Sequence, residues 1–184
     1  INQGGVRYVC GAHFYDSGGP SGNYGMNENK TMTFCSTNDC SITAEFNSFY
    51  TESGFDKLFV YDGMTTSDAL LYTCSGTNYP TSLTSTNQCL TFKFTSDNST
   101  VYQGWNINFN CDKASILASP SATVCNGDTV ILTANDGVSY LWSTGATTRS
   151  ISVTSAGYYA VTVSTASGCN LVSDPFLVQY ATAT

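Results

Sequence analysis

Eight cysteines fall within 184 residues, set among short runs of alternating hydrophobicity, and this pattern most narrows what the chain can fold into. The count is even, no two cysteines stand two apart, and there is one histidine. Disulfide bridges fit that usage better than zinc or redox chemistry. The expectation is an exported, disulfide-stapled, all-β protein. Charged residues make up 10% of the chain, against about 25% in an average soluble protein, and Ser, Thr, Asn and Gly take their place. The six Lys and Arg are scattered, whereas a nucleic-acid partner requires a clustered basic face. The net charge of −7 instead suits a hard cation such as Ca2+. No apolar run reaches the length of a membrane span, so no membrane insertion is expected. Ile1 reads as a mature N-terminus with its export signal removed.

Strand signals recur about every ten residues, the rhythm of a β-sandwich. Ile42, Ala44 and Phe46 alternate on one face, as do Leu58 with Val60, and Leu90 with Phe92 and Phe94. The cleanest run is residues 105–110, with Trp105, Ile107 and Phe109 inward and three Asn outward. Nowhere is a 3.6-residue period sustained. A boundary is expected after Cys111. Residues 1–111 hold six cysteines, 112–123 read as a polar connector, and 124–184 hold Cys125 and Cys169. Each block can therefore close its own bridges. Six cysteines allow fifteen pairings. A hairpin of residues 90–95 with 105–110, centred near Thr100, predicts that Cys89 faces Cys111.

The first block reads, in order, Cys10-Gly11, DSGGPSGNYGMNEN (16–29), Cys35, FNSFYTESGFDKLFVYDG (46–63), LLYTCSG (70–76) and CLTFKFTSDNSTVYQGW (89–105). This resembles a CUB domain, an extracellular β-sandwich that binds proteins or glycans. The variant is most similar to those in secreted surface proteins of Bacteroidetes-type bacteria. The resemblance implies Cys10–Cys35 and Cys40–Cys74 bridges, with the partnering of Cys40 and Cys74 left open. It also implies a Ca2+ site of Glu52, Asp56, Asp97 and Tyr24, with the Ser99 backbone as an addition and Asp16 as an outlying candidate. The chemistry agrees, because Ca2+ takes several oxygens, some anionic, gathered on loops. Two departures stand out. The Glu52–Asp56 spacing is short, and Thr100 stands where some relatives have Asn.

The second block carries CNGDTV (125–130), YLWSTG (140–145), AGYY (156–159) and Gly168-Cys169. It resembles the Ig-like or PKD-like modules of the same secreted proteins. The expectation is a second small sandwich with Trp142 between its sheets and a Cys125–Cys169 bridge. Asp128-Thr129-Val130 matches the O-glycosylation pattern of such bacteria at Thr129. Among the tyrosines, Tyr24, Tyr50, Tyr102 and Tyr158 are expected at the surface.

Asp16-Ser-Gly-Gly-Pro20 copies the stretch around a trypsin-like nucleophile, and His13 is close by. A triad needs its members to converge from separate parts of the fold, and His13 is too near Ser17 in sequence to act as its base. No catalytic activity is expected. The reading is a secreted adhesion or assembly protein at a bacterial surface. Its partner is a protein, a glycan or copies of itself, with an end strand adding to a neighbour's sheet edge. The rival reading is the C-terminal accessory region of a secreted protease or glycosidase, targeting it to a substrate.

Overall fold

A computed structural model describes residues 4–125 and 127–181. It is all β, and it divides into two compact units, 1–111 and 112–184. The first unit contains β1 (Val6–Tyr8), β2 (Ala12–Tyr15), β3 (Asn29–Cys35), β4 (Ile42–Tyr50), β5 (Lys57–Asp62), β6 (Ala69–Cys74), β7 (Ser82–Thr84), β8 (Cys89–Thr95) and β9 (Gly104–Cys111). They form a five-stranded sheet, β1-β3-β8-β5-β6, and a four-stranded sheet, β2-β9-β4-β7. Period-two alternation puts Phe92 and Phe94 of one sheet and Trp105, Ile107 and Phe109 of the other into a shared core, each 2% exposed or less. Phe14 packs between them, its ring centroid 5.4 Å from Phe92 and 5.5 Å from Trp105.

The strand partners differ from the expected hairpin. β8 and β9 are consecutive in sequence but lie in different sheets, so Cys89 never faces Cys111. Cys89 is instead directly opposite Cys35 on β3 and is bridged to it, with Cα atoms 4.1 Å apart. Cys111, at the end of β9, is bridged to Cys10, which precedes β2 (Cα–Cα 5.5 Å). The expected Cys10–Cys35 and Cys89–Cys111 pairs are therefore replaced. These loops close 101 and 54 residues, worth about 4–5 kcal/mol apiece in the chain-entropy model.

The Cys40–Cys74 pair is not formed either. Cys74 lies opposite Leu58, which lies opposite Phe94, at the far end of β8. The carbonyl of Cys40 accepts from the Ser36 hydroxyl, at the Cys35–Cys89 end. The length of β8 from Cys89 to Phe94 separates them by roughly 17 Å, beyond any disulfide's reach. Cys74 remains a core thiol whose pKa burial pushes up to about 12.

The second unit comprises β10 (Ile116–Ser119), β11 (Thr123–Val124), β12 (Val130–Ala134), β13 (Ser139–Trp142), β14 (Ser150–Val153), β15 (Gly157–Tyr159), β16 (Val161–Ser164), β17 (Asn170–Val172) and β18 (Phe176–Tyr180). Its sheets are β10-β12-β14, β13-β16-β17 and β11-β18-β15. Residues 116–119, expected in the connector, form β10 and pair with β12, because Ile116 and Ala118 turn to the half-buried side. Trp142 is buried, and its indole N–H donates to the Thr148 carbonyl at 2.8 Å. The Cys125–Cys169 bridge is absent, and Cys125 is an exposed thiol. β11 pairs with the end of β18, which runs past Gly157, while Cys169 precedes the Asn170–Ser164 pair at the opposite end. The extended chain between Gly157 and Ser164 spans roughly 20 Å.

A buried carboxylate pins the first unit where β2 ends. Asp16 is 3% exposed and accepts from the Gly18 amide at 2.6 Å and the Trp105 amide at 3.2 Å. Burial pushes its carboxyl pKa up, and these amides pull against that shift. Gly104 (φ +64°) permits the approach, since a Cβ there would stand 2.1 Å from Asp16 Oδ2.

Peptide mapping of the non-reduced chain should recover peptides cross-linked Cys10–Cys111 and Cys35–Cys89, and recovery of Cys89–Cys111 would contradict the sheet assignment. Gly104→Ala should cost about 3 kcal/mol in urea unfolding. Gly19→Ala, at φ +72° with nothing near its Cβ position, should cost about 1 kcal/mol. Equal costs would show that Asp16 does not crowd Gly104.

Candidate metal centre

Three loops converge at one end of the first sandwich. The β4–β5 loop carries Glu52 and Asp56, the segment after β8 carries Asp97 and Ser99, and the β2–β3 loop carries Tyr24. One carboxylate oxygen from each of Glu52, Asp56 and Asp97 lies within 4.8 Å of the others. Asp56 is completely buried, while Glu52 and Asp97 are half-buried. The short Glu52–Asp56 spacing is accommodated by a tight turn in which the Asp56 amide donates to the Glu52 carbonyl at 3.1 Å. The Thr51 and Ser75 hydroxyls both donate to the Asp56 carbonyl at 3.0 Å, latching the turn onto the sheet.

The hydrogen bonds aim the acids at one another. Tyr24 donates its hydroxyl proton to Asp56 Oδ2 at 2.5 Å and accepts from the Glu52 amide at 3.0 Å. The Asp97 amide donates to Asp56 Oδ1 at 3.0 Å. Ser99 donates its hydroxyl towards Asp97 Oδ1 (2.8 Å) and Glu52 Oε2 (3.2 Å), and its amide to Asp97 Oδ1 at 2.8 Å. Burial raises the Tyr24 pKa well above the ordinary phenol value, and the hydrogen bond to Asp56 adds to it. Tyr24 is 1% exposed, not at the surface as expected, because its ring packs edge-on against Phe94 at 5.0 Å. Among the described residues, no Lys or Arg forms an ion pair with any of the three acids. Three carboxylates this close, one without solvent, repel strongly at neutral pH unless a cation lies between them. Hard oxygens, partly anionic and on loops, are the donor set of Ca2+.

The remaining candidates lie elsewhere. Asp16 is held by backbone amides and belongs to the β2 turn, not to this cluster. His13 Nδ1 is 3.1 Å from Asn106 Oδ1, whereas the Ser17 hydroxyl donates to Glu28 Oε1 at 2.5 Å. His13 and Ser17 thus form no nucleophile–base pair. Thr129 is exposed in the loop before β12. Tyr50 and Tyr102 meet beside Glu52 in a tilted contact, ring centroids 4.1 Å apart and planes 32° apart. The latching roles of Thr51 and Ser75 were not anticipated, since isolated hydroxyls in a Ser/Thr-rich chain carry no sequence signal. Among the described residues, no helix is long and apolar enough to cross a membrane.

The family model for the CUB domain matches residues 11–109, more than half of the chain. Among solved structures, the MASP-1 CUB2 domain bound to Ca2+ superposes with a TM-score of 0.50 at 15% identity, over 59% of this chain and 99% of that one. The CUB1-EGF-CUB2 region of human MASP-1/3 matches with a TM-score of 0.50 at 16% identity. The same region of rat MASP-1 matches with a TM-score of 0.50 at 15% identity. Each match covers 59% of this chain but only 42% and 40%, respectively, of those longer chains. At such identities the likeness is one of fold. By its sequence match and its sandwich, the chain belongs to the CUB domain family.

Proposed function

We propose that this protein is a non-catalytic, extracellular binding protein whose first domain is braced by one Ca2+ held by Glu52, Asp56 and Asp97. The observation that carries this reading is the buried Asp56 carboxylate, gathered with two other acids and lacking any basic partner among the described residues. A solved CUB domain of similar fold is described as bound to Ca2+. Tyr24 acts here as a positioning residue, its hydroxyl already engaged by Asp56 and Glu52. Ser99 ties the outer two acids together.

The ion serves as scaffold. It cancels the repulsion of the acids and so fixes three loops beside the 44% exposed Tyr50 and the 66% exposed Phe55, which are offered to a partner. Adhesion or assembly at a cell surface is the role that such a rigid, aromatic-edged end supports, with the second, Ig-like or PKD-like module as a spacer. Two disulfides agree with an oxidising, extracellular setting.

Extracellular Ca2+ modules bind with Kd of about 10⁻⁴–10⁻³ M, and saturation at about 100 times Kd stabilises by about 2.7 kcal/mol. Ca2+ at about 10 mM, about 100 times Kd at the tighter end of that range, should therefore raise the melting temperature of the first unit by about 10 °C, and EDTA should reverse it. Asp97→Asn and Glu52→Gln should abolish the shift while leaving the fold intact. Tyr24→Phe should weaken Ca2+ binding about tenfold, since both acids lose their guide. A melting temperature indifferent to Ca2+ and EDTA would remove the metal reading.

A further inference from the structure

The outer face of the β2-β9-β4-β7 sheet is the second surface that stands out. An antiparallel sheet with one solvated face is ordinarily polar there, so polarity alone means nothing. The composition of this face is more specific. Asn is depleted in strands because its side chain competes for the backbone. Yet Asn106, Asn108 and Asn110 take all three successive outward positions of β9. The register sets flanking groups beside each: Asn106 between Tyr15 and Ser48, Asn108 between His13 and Glu45, and Asn110 beside Thr43. The His13 and Tyr15 rings are stacked, with centroids 5.9 Å apart and planes 15° apart.

The amides are ordered in advance. Asn106 Oδ1 is tied to His13 Nδ1 at 3.1 Å, and Asn108 Nδ2 donates to Asn110 Oδ1 at 3.2 Å. Those bonds leave the Asn106 Nδ2 group, the Asn108 Oδ1 atom and the Asn110 Nδ2 group turned to solvent, an alternation of donors and acceptors about 7 Å apart along the strand. Beside Tyr15 and Asn106 is a hollow of about 190 Å³, walled by the Gly19–Gly22 loop, Ser48 and Gln103. It is smaller than the 300–1,000 Å³ of pockets that enclose a whole small ligand, so it receives one ring or substituent of something longer. The face holds no Lys or Arg, and Glu45 is its one carboxylate; Lys57 and Lys93 stand on strands of the other sheet.

We infer that this face binds a neutral polysaccharide chain. Flat aromatic rings take the apolar faces of sugar rings, while paired amides and hydroxyls take their hydroxyl groups. The absence of basic residues disfavours sulfated or uronic-acid glycans, and the lack of outward Trp, Phe, Met or Arg, which are enriched at protein interfaces, disfavours a protein partner. No residue of the carboxylate cluster lies on this face, so the inference is independent of the Ca2+ reading.

The test is an array of neutral and acidic oligosaccharides probed with the full chain, in Ca2+ and in EDTA. Neutral glycans should be retained in both buffers. Tyr15→Ala and Asn108→Ala should each weaken retention about tenfold or more. Asn108→Ala, which leaves the core untouched, decides the matter if Tyr15→Ala lowers stability. Retention of acidic glycans only, of none, or of neutral glycans equally by wild type and Asn108→Ala would overturn the inference. So would retention lost in EDTA, which would transfer it to the carboxylate end.

Discussion

A fully buried carboxylate, Asp56, is the constraint around which the first domain is arranged. Taking an ionised acid out of water is expensive unless its oxygens are fully engaged. Here Oδ2 accepts a hydrogen bond from the Tyr24 hydroxyl and Oδ1 accepts one from the Asp97 amide, so two distant chain segments are fastened to the β4–β5 turn by one side chain. The same bonds draw Glu52 and Asp97 close enough to repel it and one another. The loops are thus held in a geometry that brings three carboxylates to one point.

Asp16 shows how the same residue type solves a different problem. It is nearly as deprived of solvent, but its partners are the amides of Gly18 and Trp105, and it is not a member of the carboxylate cluster. It closes the turn after β2 and fixes the start of β9, on whose outer side the Asn ladder begins. Each end of that strand is therefore tied, by Asp16 at Gly104–Trp105 and by the Cys10–Cys111 bridge at the other. Rigidity of this kind lowers the entropy lost when a surface takes a partner.

Much of this was legible in the residues. Alternation in 42–46, 90–94 and 105–109 specified which side chains turn inward, and every one of them is buried. The order of the acids pointed to the cluster because loops at one end of a sandwich converge. What alternation does not specify is the neighbour of a strand. Residues 90–95 and 105–110 invited a local hairpin, yet both have a full apolar face and each strengthens a different sheet, so the disulfides follow other partners. Cys125 and Cys169 looked like a closing pair only while the direction of β15, β16 and β18 was unknown. Tyr24 looked like a surface residue because its polar neighbours say nothing about the Phe94 ring beneath it.

The central claim is that a cation sits against Asp56, beside Tyr24. Sensitised terbium luminescence tests it directly, because Tb3+ takes the same oxygen ligands as Ca2+ and emits when an adjacent tyrosine is excited. A bound cation would give tyrosine-sensitised emission that Ca2+ displaces and that disappears in Asp97→Asn. Absence of emission, or emission that persists in Asp97→Asn and resists Ca2+, would contradict it.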